Sequence, residues 1–261
     1  MNITLLIRSF FVACISMMVI ACSSTPEAVS VEIEPTAQLD NELKGTMDYA
    51  IVLDDMDIKE KDGKLEYQHK YHVLKIEQDT MIVDSTGGWR TVNQSFFEKH
   101  ENNLGMEIQG RHDGTYSDVA QPVGFGWAVG NEKFGEWVNE NGEVVSTESE
   151  ESINNSRSRW RSSGPSWFLL YWATRRPAYR SDYRGYRQAK AAGKPYYGQR
   201  TGSAATYGTN SATQRARRPG YYARRATSST FSRASSSKTS RNSSRYKSSS
   251  STRSRSGGFG K

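Results

Sequence analysis

Three groups of side chains in this chain carry residue types and spacings that could do chemistry. Asp54, Asp55 and Asp57 crowd carboxylates into four positions, His69 and His72 lie three apart, and Gly124-Phe125-Gly126-Trp127-Ala128-Val129-Gly130 spaces glycines along a loop. The acids suggest calcium, but Lys59 and Lys61 stand where an EF-hand loop needs oxygen ligands, and no acid closes the loop. On a regular strand, alternate residues also face opposite ways, which splits the trio and separates His69 from His72. The glycine run runs on toward a hairpin rather than a helix, so it reads as turns and not as a phosphate cradle. No Gly-x-Ser-x-Gly elbow and no zinc-protease histidine pair is present. The expectation is therefore no catalytic residue, no metal and no cofactor, with a hydrolase assembled from distant residues as a distant alternative.

Cysteine chemistry is confined to Cys14 and Cys22. Both lie near the start, around an apolar run from Phe10 to Ile20 that follows the single cation Arg8. That run is too short to span a bilayer and has the layout of an export signal. It closes on Val19-Ile20-Ala21-Cys22, which resembles the lipobox of bacterial prokaryotic lipoproteins. The resemblance implies cleavage before Cys22, a diacylglyceryl group on its sulfur and an acylated, commonly palmitate-bearing, amino terminus. Residues 1–21 would be the signal peptide, Cys22 the lipidation site and the membrane a partner through its acyl chains. Ser23, rather than Asp, implies outer-membrane sorting where the organism has such a membrane. With Cys14 removed and Cys22 alkylated, no thiol remains for a disulfide or a zinc site.

Charge divides the rest of the chain. From Ser23 to Ser152, 10 Lys/Arg meet 27 Asp/Glu, whereas from Ile153 to Lys261 there are 24 Lys/Arg and one acid, Asp182. A split of this kind marks either self-association or separate partners for the two parts. The C-terminal arginines, with Arg215, Arg217, Arg218, Arg224 and Arg225 at their densest, are interleaved with tyrosine. On an exported chain they would meet anionic lipid, lipopolysaccharide or wall polymer, and nucleic acid is disfavoured as a partner. Docking on the protein's own acidic part and an inert tail are the alternatives.

The elements that must position these residues read as α+β. Residues 22–45, with Pro26 and Pro35, read as a tether, with Val29-Val31-Ile33 as a candidate short edge strand. Residues 46–146 form a small antiparallel β-rich domain. Its clearest feature is a hairpin around Lys61-Asp62-Gly63-Lys64, where Leu65, Tyr67, His69, Tyr71 and Val73 alternate with polar residues. Ser95 and Glu98 have capping-box spacing for one short packed helix ending near Gly105. Asn141-Gly142 signals another hairpin.

Residues 147–165 read as a polar linker. Residues 166–193 read as an aromatic and basic helical segment, its second helix running from Ser181 to Ala192. Within it, Trp167, Phe168, Leu170, Tyr171 and Trp172 either pack on the sheet or contact a membrane or a membrane protein. Residues 194–261 read as a disordered Ser/Arg/Tyr-rich tail, with too little apolar area to offset backbone entropy of about 1–2 kcal/mol per residue.

Pro122-Val123-Gly124-Phe125-Gly126, Gly130-Asn131 and Phe134-Gly135-Glu136-Trp137, with Tyr179, Tyr183, Tyr186 and Tyr196-Tyr197-Gly198, are similar to uncharacterised bacterial envelope proteins that join such a signature to an aromatic helix and a Tyr/Arg/Ser tail. The likeness covers about a third of the chain and implies only that domain and tail belong together. The functional expectation is a membrane-anchored, non-enzymatic structural or interaction protein of the envelope. The alternative is an accessory subunit that binds a membrane protein through 166–176.

Overall fold

The computed structural model of the chain describes residues 26–77, 80–85, 87–145, 157–163, 177–198 and 205–234. They fall into two units: 28–232, which holds all that follows, and the chain ends 1–27 with 233–261, of which only a few residues are described. The architecture is α+β.

Strands β1 (Tyr49–Lys61) and β2 (Lys64–Glu77) pair antiparallel from Tyr49↔Lys75 to Lys61↔Lys64. The turn is made by Asp62 and Gly63, both at positive φ (52° and 72°), as a two-residue Asp-Gly hairpin requires. Next come β3 (Thr80–Ser85), β4 (Arg90–Val92), helix α2 (Gln94–His100), β5 (Glu107–His112) and β6 (Thr115–Ser117). Helix α1 (Pro35–Glu42) precedes them all. Among the described residues six strands form one antiparallel sheet in the order β3-β2-β1-β5-β6, with β4 pairing to β2. Ile51, Leu53, Met56, Leu74, Met106 and Ile108 are sealed inside it. Burying each such side chain contributes roughly 1.5–3 kcal/mol.

A bulge modifies the expected alternation. Leu53 pairs with Tyr71 and Asp55 with Lys70, so Asp54 is the extra residue of β1. An inserted residue bends a strand and re-aims the side chains around it. His69 and His72 do separate as their spacing predicts, His69 fully buried and His72 half-buried.

Several boundaries move. The segment read as a tether is part of the body: Ala28 bridges to Leu65, and α1 buries Thr36 and Leu39. Asn93 holds this segment in place, accepting from Ser30 Oγ and Val31 N at 3.0 Å and donating to Val31 O at 2.9 Å and Glu34 Oε1 at 2.8 Å. The capping box does not form, because α2 starts one residue before Ser95 and Gln94 donates to Glu98 Oε1 at 2.9 Å. Asn141-Gly142 makes a turn with a single bridge, Val138↔Val144, instead of a ladder.

Strands β7 (Gly135–Val138) and β8 (Arg159–Ser162) form a small second sheet with Trp137 opposite Trp160. Helix α3 (Arg180–Ala191) lies beside it and places Tyr183 and Tyr186 against Phe125. Its start precedes the expected Ser181 by one residue, and Gly193 at φ 63° follows its C-cap. Position 126 must be glycine twice over: its φ is 88°, and a Cβ there would lie 2.3 Å from the Tyr186 hydroxyl oxygen.

The largest departure from expectation is C-terminal. Residues 205–232, read as disordered tail, form helices α4 (Ala212–Arg217) and α5 (Pro219–Thr227) and lie on the body as a strap. Tyr221 and Phe231 are buried, with Phe231 facing Phe97 and Tyr221. The physical reason is that polar and aromatic contacts to the body replace the apolar core that this segment lacks by itself.

Candidate functional site

The bulge at Asp54 decides where the acidic trio goes. Asp54, Asp55 and Asp57 meet two arginines of the strap. Arg218 Nη2 reaches Asp54 Oδ1 at 2.5 Å, and its Nε donates to the Asp54 carbonyl. Arg224 Nη2 lies 2.7 Å from both oxygens of Asp55, and its Nε is 3.6 Å from Asp57 Oδ1. The Arg224 guanidinium also sits 5.5 Å from the Trp89 ring centre. These are charge-assisted contacts in half-buried surroundings, where such pairs are stronger than at an exposed surface. Burial alone would raise the Asp54 pKa, but the His72 hydrogen bond and the Arg218 and His72 charges outweigh it and lower the pKa to about 2.

Further along, the strap closes the open end of α2. Thr209 Oγ1 donates to Glu101 O at 2.7 Å and accepts from Leu104 N at 3.1 Å, while Thr209 N donates to Asn102 O at 2.9 Å. These bonds occupy backbone groups that a helix end leaves unpaired. Gly105 permits the approach, since a Cβ there would overlap the Gln214 side chain at 2.1 Å. Thr230 Oγ1 then donates to Ile58 O at 2.8 Å.

The five arginines expected to contact a polyanion are thereby divided. Arg218 and Arg224 are turned to the body's own carboxylates, which corrects that expectation for these two. Arg215, Arg217 and Arg225 are exposed. Arg215 packs over Tyr222 at 5.5 Å, and Arg225 Nη1 donates to the Tyr221 hydroxyl at 3.3 Å. Cys22 and the run Trp167, Phe168, Leu170, Tyr171 and Trp172 lie outside the described residues. No family model, curated protein or solved structure matches the chain. Among the described residues, no helix is long and apolar enough to cross a membrane, and no group of three His, Cys, Asp or Glu side chains is placed to hold a metal ion.

A second site was missed by sequence reasoning. Glu107 is 2% exposed, and both of its carboxylate oxygens are occupied. Oε1 takes His112 Nε2 at 2.5 Å and Gln121 Nε2 at 3.0 Å, and Oε2 takes Trp127 Nε1 at 3.1 Å. His112 and Trp127 stack with ring centres 5.2 Å apart and 9° between their planes. Gly110 makes room: a Cβ there would lie 2.7 Å from Glu107 Oε1 and from Tyr49 O. The stacked rings form one wall of a polar recess of about 780 Å³. The carboxylate thus holds both rings in one orientation and makes them a fixed wall. The sequence signal was only five-residue spacing from Glu107 to His112 across a strand, with Gln121 and Trp127 on a later loop, and no motif marks such a set.

A third cluster is internal. His69 Nδ1 meets the Tyr71 hydroxyl at 2.9 Å, and His100 Nδ1 meets Asn103 Nδ2 at 2.9 Å. Burial, and then the charge of His100, push the His69 pKa well below its ordinary value. Burial, followed by the Lys99 charge, lowers that of His100 to about 4. Both rings are held neutral as core residues.

Proposed function

We propose that this chain is a lipid-anchored, non-enzymatic interaction protein of the bacterial envelope, held by acyl chains on Cys22 and contacting anionic envelope surfaces through its C-terminal cations. The observation that carries the reading is the division of the strap's arginines. Two are pinned to the acidic ridge of β1, and three on the same short helices are exposed. Beyond the strap, residues 235–261 add seven Lys/Arg and no acid. Pairing two arginines with the three aspartates of β1 lessens their repulsion of an anionic partner, while the outward cations add roughly 1 kcal/mol each at such a surface. Lipid at one end and charge at the other would raise the local concentration of each contact.

Vesicle flotation of the Cys22→Ser chain tests the charge half. Binding to anionic vesicles at low salt is expected to fall when Arg215, Arg217 and Arg225 become Gln and to fall further when 235–261 are removed. Equal binding by all three forms sinks the reading. The mass of the amino-terminal peptide of the cell-made protein tests the anchor, and an unmodified thiol at Cys22 refutes it.

A further inference from the structure

The recess beside His112 has no part in the anchoring or in the arginine division, and one of its walls is held by buried hydrogen bonds. It opens between Asp48 ahead of β1, the β5–β6 turn, the 126–134 loop and the end of α3. Its size falls in the span of about 300–1,000 Å³ usual for small-ligand clefts.

The wall is fixed before any ligand arrives. Glu107 holds His112 and Trp127 by their ring nitrogens, and the rings stack on each other. Asp48 Oδ1 accepts the Asp113 N–H at 2.7 Å and so ties the strand entry to the β5–β6 turn. On the opposite rim, Asn131 Nδ2 donates to Trp127 O at 3.2 Å, and Asn131 Oδ1 accepts from Lys133 N at 3.1 Å. Gly130 lets this loop seat on α3, since a Cβ there would lie 2.3 Å from the Tyr183 hydroxyl and ring.

The lining chemistry selects the ligand class. Carboxylates at Asp48, Asp113 and Glu132 line the recess together with ammonium groups at Lys133 and Lys190. A strong anion would face three acids and a strong cation two lysines, while an apolar molecule would displace water from these groups and offer them nothing in return. Hydroxyl groups suit both signs, because each can donate to a carboxylate and accept from an ammonium. Trp127 and Phe134 supply apolar faces between these groups. The His112 ring leaves one polar atom unsatisfied: its Nδ1 is buried and has no hydrogen-bond partner. Buried polar atoms without partners are uncommon and costly.

We propose that this recess is a binding site for a neutral, hydroxyl-rich ligand, a glycan fragment. The proposal is independent of the lipid anchor and of the cationic tail.

The test is saturation-transfer NMR on the full chain with three neutral trisaccharides, chitotriose, maltotriose and mannotriose, each at millimolar concentration. Inorganic phosphate and spermidine serve as charged competitors. At least one trisaccharide is expected to bind saturably, and neither charged competitor should displace it. Glu132→Ala with Lys133→Ala, both exposed, should weaken binding about tenfold, the effect of losing about 1.4 kcal/mol of contact. Thr115→Val, on the facing rim, should weaken it less, and circular dichroism should show all variants folded. Silence from all three sugars, binding that ignores the rim variants, or displacement by phosphate or spermidine overturns the proposal. Loss of vesicle binding by the arginine variants leaves it untouched, so the two readings fail separately.

Discussion

The sheet and the strap reach ordered structure by opposite means. Between Tyr49 and Ile58, β1 buries one large side chain after another, and its partners on β2 and β5 do the same. The strap buries few apolar side chains of its own, Tyr221 and Phe231 chief among them, and relies on Arg218, Arg224, Thr209 and Thr230 reaching acids and carbonyls of the body. Salt does not screen apolar burial and can even strengthen it, whereas it weakens ion pairs in proportion to their exposure, half-buried ones included. The two regions should therefore come apart under different stresses.

The sharpest break is Leu53→Ala. It empties a fully buried site at the centre of the sheet and should destabilise the whole body by about 2–5 kcal/mol in urea unfolding, with strap and sheet lost together.

Acid should act next, and again on the body. His69 and His100 have folded-state pKa values below that of a free imidazole, so the unfolded chain binds their protons more readily. Their contribution is complete above about pH 6.5 and is lost as pH falls, for His100 toward about 4. Between pH 6.5 and 5, denaturant midpoints should register a loss of about 2 kcal/mol from His100, with a further loss in the same direction from His69. His100→Gln should reduce this dependence. Asp54 works over a lower window, because its folded pKa of about 2 lies beneath the ordinary carboxylate value. Its contribution persists above about pH 4 and fades only below that, so moderate acid should loosen the sheet while the Asp54–Arg218 pair survives.

Arg224→Ala reverses the pattern. It should cost about 1–2 kcal/mol and raise hydrogen exchange in 205–232, while peptides from 49–61 keep their protection. Added salt should act on the wild-type strap in the same direction. If exchange rises equally in both segments, strap and sheet are one cooperative unit and the contrast fails. Smallest of all, Arg225→Gln should change stability by less than about 0.5 kcal/mol, since its guanidinium is exposed and makes one long bond to Tyr221.

Legibility in the sequence followed the same contrast. The β1–β2 hairpin could be read because alternation and Asp62-Gly63 are local signals, and Tyr183 and Tyr186 of α3 were correctly placed on a helix. The strap could not be read, because Arg218 contacts Asp54 across 164 positions and nothing near Arg218 announces an acid. Composition argued for disorder, and composition is blind to a partner supplied by the rest of the chain. The bulge at Asp54 was equally hidden: strict alternation splits the acids between two faces, and one extra residue brings them within reach of the same two arginines. The Glu107 set failed for a third reason, since its members come from a strand and a loop that meet only after folding.

The distance along the chain between Asp54 and Arg218 has a consequence for biosynthesis. During translation, the sheet segments emerge well before codon 218 is decoded, so every nascent copy passes through an interval in which three aspartates stand uncovered. A premature stop upstream of the strap would make that interval permanent and yield an acidic truncation product. Such a product would be a mark for quality-control proteases, and its clearance would report how far the latch protects the finished chain.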